Sequence, residues 1–369
     1  MPTPSPLPDD ASLRVHAVTD PERLYTLATD PARTARSWYD HEIVRLVVVL
    51  TGHHGQAATD WAVRLGEHAA RQGDAPGARR LTRRIAWELV RRPGSAALRP
   101  HFEAPPERPD APETEFHACL LQEMALRWGL REEPYLGYGT RLRTLGHPLA
   151  WLPLTSLYAE HAMRERAPLQ GSMLGSLTPE ELYDRYPGIP PTEAGAAAGR
   201  DAVPTPDEGR AATVEAPFAG FGAAEALFFA LPRPLDPADF NASFLTSLRA
   251  PCLGGLVPDT LAAAHTTVDD AAGDLFVGAF SGGVWGDGGE QGAYARLLTW
   301  RALYALMDLD PAVPQSEAVR RAAEHRWLRL AARRGAGDRW FHGDLSDTAF
   351  AVLDPSRTRV AVVAATDTD

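Results

Sequence analysis

Apolar residues recur at helical spacing from about residue 19 to about residue 166, and this periodicity most constrains how the chain can fold. Two consecutive runs are Ala58, Trp61, Ala62, Leu65 and Ala69, and then Ala78, Leu81, Ile85 and Leu89. The first run stops at Gly73 and the second at Pro93, residue types that end helices. The first half of the chain is therefore predicted to be a stack of antiparallel helices, in which these two runs form a hairpin.

Strand patterns appear in the second half of the chain. Residues 225–231 predict a strand, and the strongest strand signal in the sequence comes from Val360, Val362 and Val363. Together with residues 348–353 and a turn at 354–357, these valines predict a C-terminal hairpin. Helical spacing predicts further helices over 293–307 and 316–334. Residues 270–280 fit either a strand or a helix, and the spacing of their apolar residues favours a helix. The predicted fold class is α+β, predominantly helical, with a small sheet in the C-terminal domain that ends in the hairpin.

Composition divides the chain into four parts. Four prolines occur in the first eight residues, which predicts a disordered tail over residues 1–18. Residues 190–212 consist largely of Pro, Gly, Ala, Thr and charged residues without apolar periodicity, which predicts a flexible linker. A helical array is then expected over residues 19–189, and the α+β domain over residues 213–369.

The residue types present exclude several kinds of chemistry. All 37 basic residues are arginine, which excludes Schiff-base catalysis, pyridoxal phosphate attachment and a phosphate-loop lysine. Cys119 and Cys252 lie far apart in the sequence, so a cysteine zinc site, an iron–sulfur cluster and a disulfide framework are not expected. We therefore predict neither a cofactor nor a metal ion.

Charge and hydropathy bear on partners and location. The net charge of -11 argues against nucleic acid as a partner. No stretch approaches the ~18 uninterrupted apolar residues of a membrane span, so no membrane partner is expected. The N-terminus lacks the basic and apolar regions of a secretory signal, which predicts a cytoplasmic protein.

Several C-terminal segments form a pattern found in a known family. They are Gly292–Leu297, Thr299–Leu303, Trp340–Phe341 and Val360–Asp369. In these segments the chain resembles the bacterial family named domain of unknown function 6183, over about residues 215–369. The family's Gly-Gly-aromatic loop is matched by Gly282–Trp285 with an inserted valine, whereas His342–Asp344 lies outside its pattern. The family is uncharacterised, so the resemblance implies a shared C-terminal fold but no activity, and it gives His342 no support.

Four residues are weak candidates for catalysis: Ser281, Asp287, His342 and Asp344. Ser281 lies in a loose variant of the nucleophile elbow, but the helix that an elbow needs does not follow it directly. His342 and Asp344 have the spacing of two metal-triad ligands, but a third ligand is not identifiable. The glycine-rich stretch from Gly282 to Gly292 could present N–H groups to an anion, although Asp287 carries the same charge. A turned loop is the simpler interpretation of the glycine-rich stretch, and a solvated turn is the simpler interpretation of His342 and Asp344.

Arg296 and Arg301 lie on the otherwise apolar predicted helix that follows the glycine-rich stretch. A buried arginine requires a carboxylate or carbonyl partner. Asp367 or Asp369 in the terminal strand could supply one, which predicts a structural latch at the C-terminus.

These patterns favour a non-catalytic binding or scaffolding protein with a protein partner over an enzyme. Helical stacks offer extended concave surfaces, and the sequence supplies no complete set of catalytic groups or metal ligands. The alternative is a hydrolase or metal-dependent enzyme with a site between the Gly282–Gly292 loop and the C-terminal hairpin. A pocket that unites the four candidates would favour the enzyme, and an exposed apolar patch on the helical half would favour the binding protein.

Overall fold

The computed structural model describes residues 7–30, 39–52, 55–72, 76–91, 95–106, 108–166, 174–283, 289–336, 340–341 and 346–367. The chain forms two compact units. The first comprises residues 1–156 and 291–293, and the second comprises residues 157–290 and 294–369. The fold class is α+β and mainly helical, as predicted.

The first unit is helical wherever it has regular structure among its described residues. Its helices are α1 (Asp10–Thr19), α2 (Pro21–Ala28), α3 (Tyr39–Thr51), α4 (Gln56–Ala70), α5 (Pro76–Arg91), α6 (Pro112–Trp128) and α7 (Tyr135–Thr144). Successive helices pack together and bury the apolar stripes that the sequence shows, including Leu65 of α4 and Ile85 of α5. The helices predicted from the two apolar runs are therefore confirmed as α4 and α5.

The second unit contains an antiparallel sheet. Its strands are β1 (Val203–Pro204), β2 (Ala223–Ala230), β3 (Leu261–Thr266), β4 (Arg326–Ala332), β5 (Ser346–Leu353) and β6 (Arg359–Asp367). Their order across the sheet is β1-β2-β6-β5-β4-β3. The predicted C-terminal hairpin is confirmed as β5 and β6, which lie in the middle of the sheet. Its turn is closed by Asp354, whose Oδ1 accepts hydrogen bonds from the N–H groups of Thr358 (2.9 Å) and Arg359 (2.8 Å).

Helices surround this sheet. They are α8 (His161–Arg166), α9 (Pro179–Arg185), α10 (Glu193–Asp201), α11 (Glu208–Glu215), α12 (Ala242–Ser247), α13 (Val268–Ser281), α14 (Gln291–Met307) and α15 (Gln315–Ala322). One face of the sheet, with Ala349 and Val362, belongs to a core cluster that includes Phe244 of α12. On the opposite face, Thr348 contacts Asp274 of α13. The middle strands β5 and β6 are therefore buried on both faces of the sheet.

The predicted long helix over residues 316–334 was wrong. Helix α15 ends at Ala322, and residues Arg326–Ala332 form β4 instead. A strand that is buried on both faces shows no alternation of apolar and polar residues, and a short apolar run of this kind resembles a buried helix. Here Trp327 and Leu330 happen to have helical spacing.

The predicted flexible linker over residues 190–212 was also wrong. It contains α10, β1 and the first turns of α11. Helix α10 packs closely on α12 and on the residues before it: a Cβ atom added at Gly199 would lie 2.3 Å from the carbonyl oxygen of Phe244 in α12, and one added at Gly195 would lie 2.7 Å from that of Asp239, which precedes α12. The small residues that suggested a linker therefore permit close helix packing.

The predicted domain limits need two further corrections. Residues 10–18 belong to α1, whose first turn is capped by the carboxylate of Asp9 through the Ser12 N–H (2.8 Å), so this part of the predicted tail is helical, while residues 1–6 lie outside the described residues. The boundary between the units falls at residues 156 and 157 rather than at 189, because Leu182 and Ile189 pack in cores of the second unit.

Candidate functional site

A groove in the second unit lies between α10 and the segment 231–239. It encloses a cavity of about 240 Å³. Ala194, Ala197 and Ala198 line it from the helix, and Leu231, Pro232, Pro234 and Leu235 line it from the segment. The alanines recur at the spacing of one helix face, and Gly195 and Gly199, which pack against Asp239 and α12, lie on another face. We call this feature the α10 groove.

Charged side chains border the α10 groove: Asp201, Asp236, Asp239 and Arg233. Oδ1 of Asp236 accepts a hydrogen bond from the Ala238 N–H (2.9 Å), and Oδ1 of Asp239 accepts one from the Thr192 hydroxyl (2.7 Å). Asp201, Arg233 and Asp236 are exposed, while Asp239 is half-buried. The groove thus combines an apolar lining with three carboxylates and one guanidinium group.

A second cavity, of about 60 Å³, is lined by Arg210, Asp308 and Arg359. The Arg210 guanidinium lies 3.9 Å from the ring centre of Phe228 and donates to the carbonyl of Ala305 (2.6 Å). Arg359 pairs with Asp308. These charged groups already interact with other residues of the chain. The cavity also has room for little more than a water molecule, so it is a poorer candidate binding site than the α10 groove.

The structure describes one of the four predicted catalytic candidates. Ser281 is the last residue of α13, and its hydroxyl donates to the carbonyl of Val277 one turn earlier (2.8 Å). Asp287, His342 and Asp344 lie outside the described residues. A Cβ atom added at Gly283 would lie 2.8 Å from Oδ2 of Asp367, so the segment after Ser281 approaches the end of β6.

In the structure Arg296 pairs with Glu160, a partner that the latch prediction did not name. Its Nε and Nη2 atoms donate to the two carboxylate oxygens of Glu160, at 2.7 and 3.0 Å, and both side chains are 0% exposed. Arg301 is exposed, so its assignment to a buried latch was wrong. Asp367 is buried at the end of β6, and Asp369 lies outside the described residues.

Glu160 organises a larger buried cluster. Its Oε1 also accepts a hydrogen bond from the Trp300 indole N–H (2.7 Å), and its Oε2 accepts one from the Leu157 N–H (2.9 Å). A second buried pair joins Asp274 of α13 to Arg329 of β4, and the Thr348 hydroxyl donates to the same carboxylate (3.2 Å). Buried pairs of this kind hold elements together rather than bind ligands.

Comparison with known families identifies the family of this chain. The family of unknown function DUF6183 matches residues 14–369. The chain belongs to this family. The match extends well beyond residues 215–369, the part over which the sequence resemblance was stated, and it includes both units. No curated protein and no solved structure matches the chain.

Within the described ranges, no helix of this DUF6183 protein is both long and apolar enough to cross a membrane. Nor does that part of the chain contain a group of three or more His, Cys, Asp or Glu side chains arranged to hold a metal ion.

Among the described residues of this DUF6183 protein, four histidines have a pKa below the ordinary value, in each case mainly because burial disfavours the charged form. They are His68, His101, His265 and His325. Arg71 adds to the effect at His68 and Arg326 adds to it at His265. At His101 the carboxylate of Asp60, 3.0 Å from Nε2, opposes it.

We expect these histidines to make the protein less stable in mild acid. Since their pKa values are lower in the folded state, the unfolded chain binds more protons as the pH falls. Their contribution is complete above the unfolded pKa of about 6.5 and is lost as the pH falls through the folded values. Urea unfolding at about pH 8, 7, 6 and 5 should give a decreasing free energy of unfolding. His325→Gln should make that decrease shallower, and a flat or opposite trend in the wild type would contradict the assignment.

Proposed function

We propose that this protein is a cytoplasmic, non-catalytic binding or scaffolding protein of bacteria, and that a protein partner docks in the α10 groove. The observation that carries the proposal is the groove itself, an apolar cavity with a charged rim. Binding sites are typically concave and apolar with a few polar groups. The volume of about 240 Å³ is below the range typical of drug-sized ligands, so it suits a side chain of a partner.

The rigidity of both sides supports this proposal. Gly199 holds α10 against α12, and Gly195 lets α10 approach the carbonyl of Asp239 in the segment. Asn241 ties the start of α10 to α12 by donating to Thr192 Oγ1 (3.0 Å) while its Oδ1 accepts from the Phe244 N–H (3.2 Å). On the other side, Pro232 and Pro234 restrict the backbone of the segment. A preformed groove binds without the entropic cost of ordering its walls.

Site-specific crosslinking tests the docking site. A photoreactive amino acid at Ala194, an exposed residue inside the groove, should give a discrete adduct in cells, whereas the same group at Arg200 on another face of α10 should not. Ala197→Phe, which fills the groove, should abolish the Ala194 adduct while leaving the far-ultraviolet circular dichroism unchanged. Equal adducts from both positions, or an adduct that survives Ala197→Phe, would contradict the proposal.

An enzyme remains the alternative proposal, favoured by the approach of Gly283, two residues after Ser281, to the Asp367 carboxylate. It predicts a hydrolase or metal-dependent reaction that needs Ser281. If a reaction is found, Ser281→Ala should reduce its turnover at least a hundredfold, as expected for a nucleophile. Full turnover in the variant would exclude Ser281 as the nucleophile.

A further inference from the structure

The charges around the α10 groove differ from those of an ordinary apolar docking site. Three carboxylates and one guanidinium group border it, and two of the carboxylates belong to the segment while Asp201 ends the helix. We infer that the partner inserts a guanidinium or ammonium group, that is, an arginine or lysine side chain. This inference rests on the proposed binding function and specifies what the groove recognises.

The carboxylates have acceptor capacity to spare. Asp236 and Asp239 each accept a hydrogen bond through Oδ1, from the Ala238 N–H and from the Thr192 hydroxyl. The Oδ2 atom of each carboxylate can then accept a hydrogen bond from a ligand. Asp201 is exposed at the last residue of α10, where a carboxylate lies unfavourably near the negative end of the helix dipole. A bound cation would relieve that repulsion and contact acceptors on both sides of the groove.

The lining suits the rest of such a side chain. Arginine and lysine carry their charge on a chain of methylene groups that packs well on apolar surface. Ala194, Ala197 and Ala198 leave space for that chain, and Leu231 and Leu235 supply apolar contacts. Arg233 is exposed on the same rim and repels a cation, so its removal should favour binding.

Two small probes of equal size test the inference. N-acetyl-arginine amide carries the guanidinium group, and N-acetyl-citrulline amide replaces it with a neutral urea. Ligand-observed NMR titration of the full chain at low ionic strength should show at least fivefold tighter binding of the arginine probe. Asp201→Asn should weaken that binding about twofold to fivefold, the range of one exposed ion pair. Arg233→Ala should strengthen it by a similar factor.

A matched control isolates the groove from general charge effects. Glu193→Gln removes one exposed carboxylate from the same helix but outside the groove, and it should leave arginine binding unchanged. Equal binding of both probes that is lost in Ala197→Phe would overturn the inference while the binding function stands. Arginine binding that survives Ala197→Phe, or no binding of either probe, would also overturn it, and the Ala194 crosslink then decides the proposed function separately.

Discussion

Glu160→Ala is expected to lower the free energy of unfolding by about 3–5 kcal/mol. The substitution leaves the Arg296 guanidinium buried without the two carboxylate oxygens that now accept from it at 2.7 and 3.0 Å. It also removes the acceptor of the Trp300 indole N–H. A buried charge that loses its partner retains its full desolvation cost, which exceeds the value of the pair itself.

Urea unfolding followed by circular dichroism measures the loss, and Glu165→Ala is the matched control. Glu165 is exposed on the neighbouring helix α8, so its removal should change stability by less than about 0.5 kcal/mol. Adding Arg296→Met to Glu160→Ala should recover much of the stability, because the buried guanidinium that lost the Glu160 carboxylate is also removed. If Glu160→Ala costs no more than Glu165→Ala, the ion pair does not stabilise the second unit.

Much of the helical architecture could be predicted because amphipathic burial leaves a period in the sequence. Helices α4 and α5 bury one stripe each, and that stripe is visible as residues spaced three or four apart. The hairpin of β5 and β6 was visible for a different reason, since its valines have high strand propensity. In both cases the local sequence and the final environment agree.

Strands β3 and β4 could not be predicted in the same way. Strand β3 is Leu-Ala-Ala-Ala-His-Thr, and alanine has low strand propensity, so its conformation depends on pairing with β4. From the sequence, a charged residue such as Arg329 in β4 is expected to be solvent-exposed, yet it is buried against Asp274. Only the tertiary contact explains an arginine at that position of a buried strand.

The candidate sites show the same limit. A buried arginine on an apolar helix indicates that some acceptor exists, but Glu160 lies 136 residues from Arg296 and no local pattern connects the two. The α10 groove left a signal that was misread: Gly195 and Gly199 are four residues apart and lie on one helix face, while Ala194, Ala197 and Ala198 lie on another. A flexible linker does not require small residues at helical spacing, so this spacing indicates a helix.

The packing of α10 leads to the second large expected effect. Gly199→Ala should destabilise the protein by about 1–3 kcal/mol, because the added methyl group would lie 2.3 Å from the Phe244 carbonyl oxygen and 2.9 Å from Ser247 Cβ. The ordinary preference of helices for alanine over glycine acts in the opposite direction, by about 1 kcal/mol. The steric term wins because the carbonyl of Phe244 belongs to the backbone of α12 and cannot rotate away.

Gly209→Ala provides the matched control, since it places alanine in helix α11, where the new Cβ atom would lie 3.8 Å from Asp207 Oδ1, an ordinary van der Waals distance. This variant should be stabilised by about 0.4–1 kcal/mol. The two alanine variants therefore differ in sign, and urea unfolding of both measures the difference. Because the shift of α10 in Gly199→Ala would also change the shape of the α10 groove, the same variant should weaken binding of the arginine probe. If both variants were equally stable, α10 would not be held by close contact, and the groove would lack the rigid wall on which the binding proposal depends.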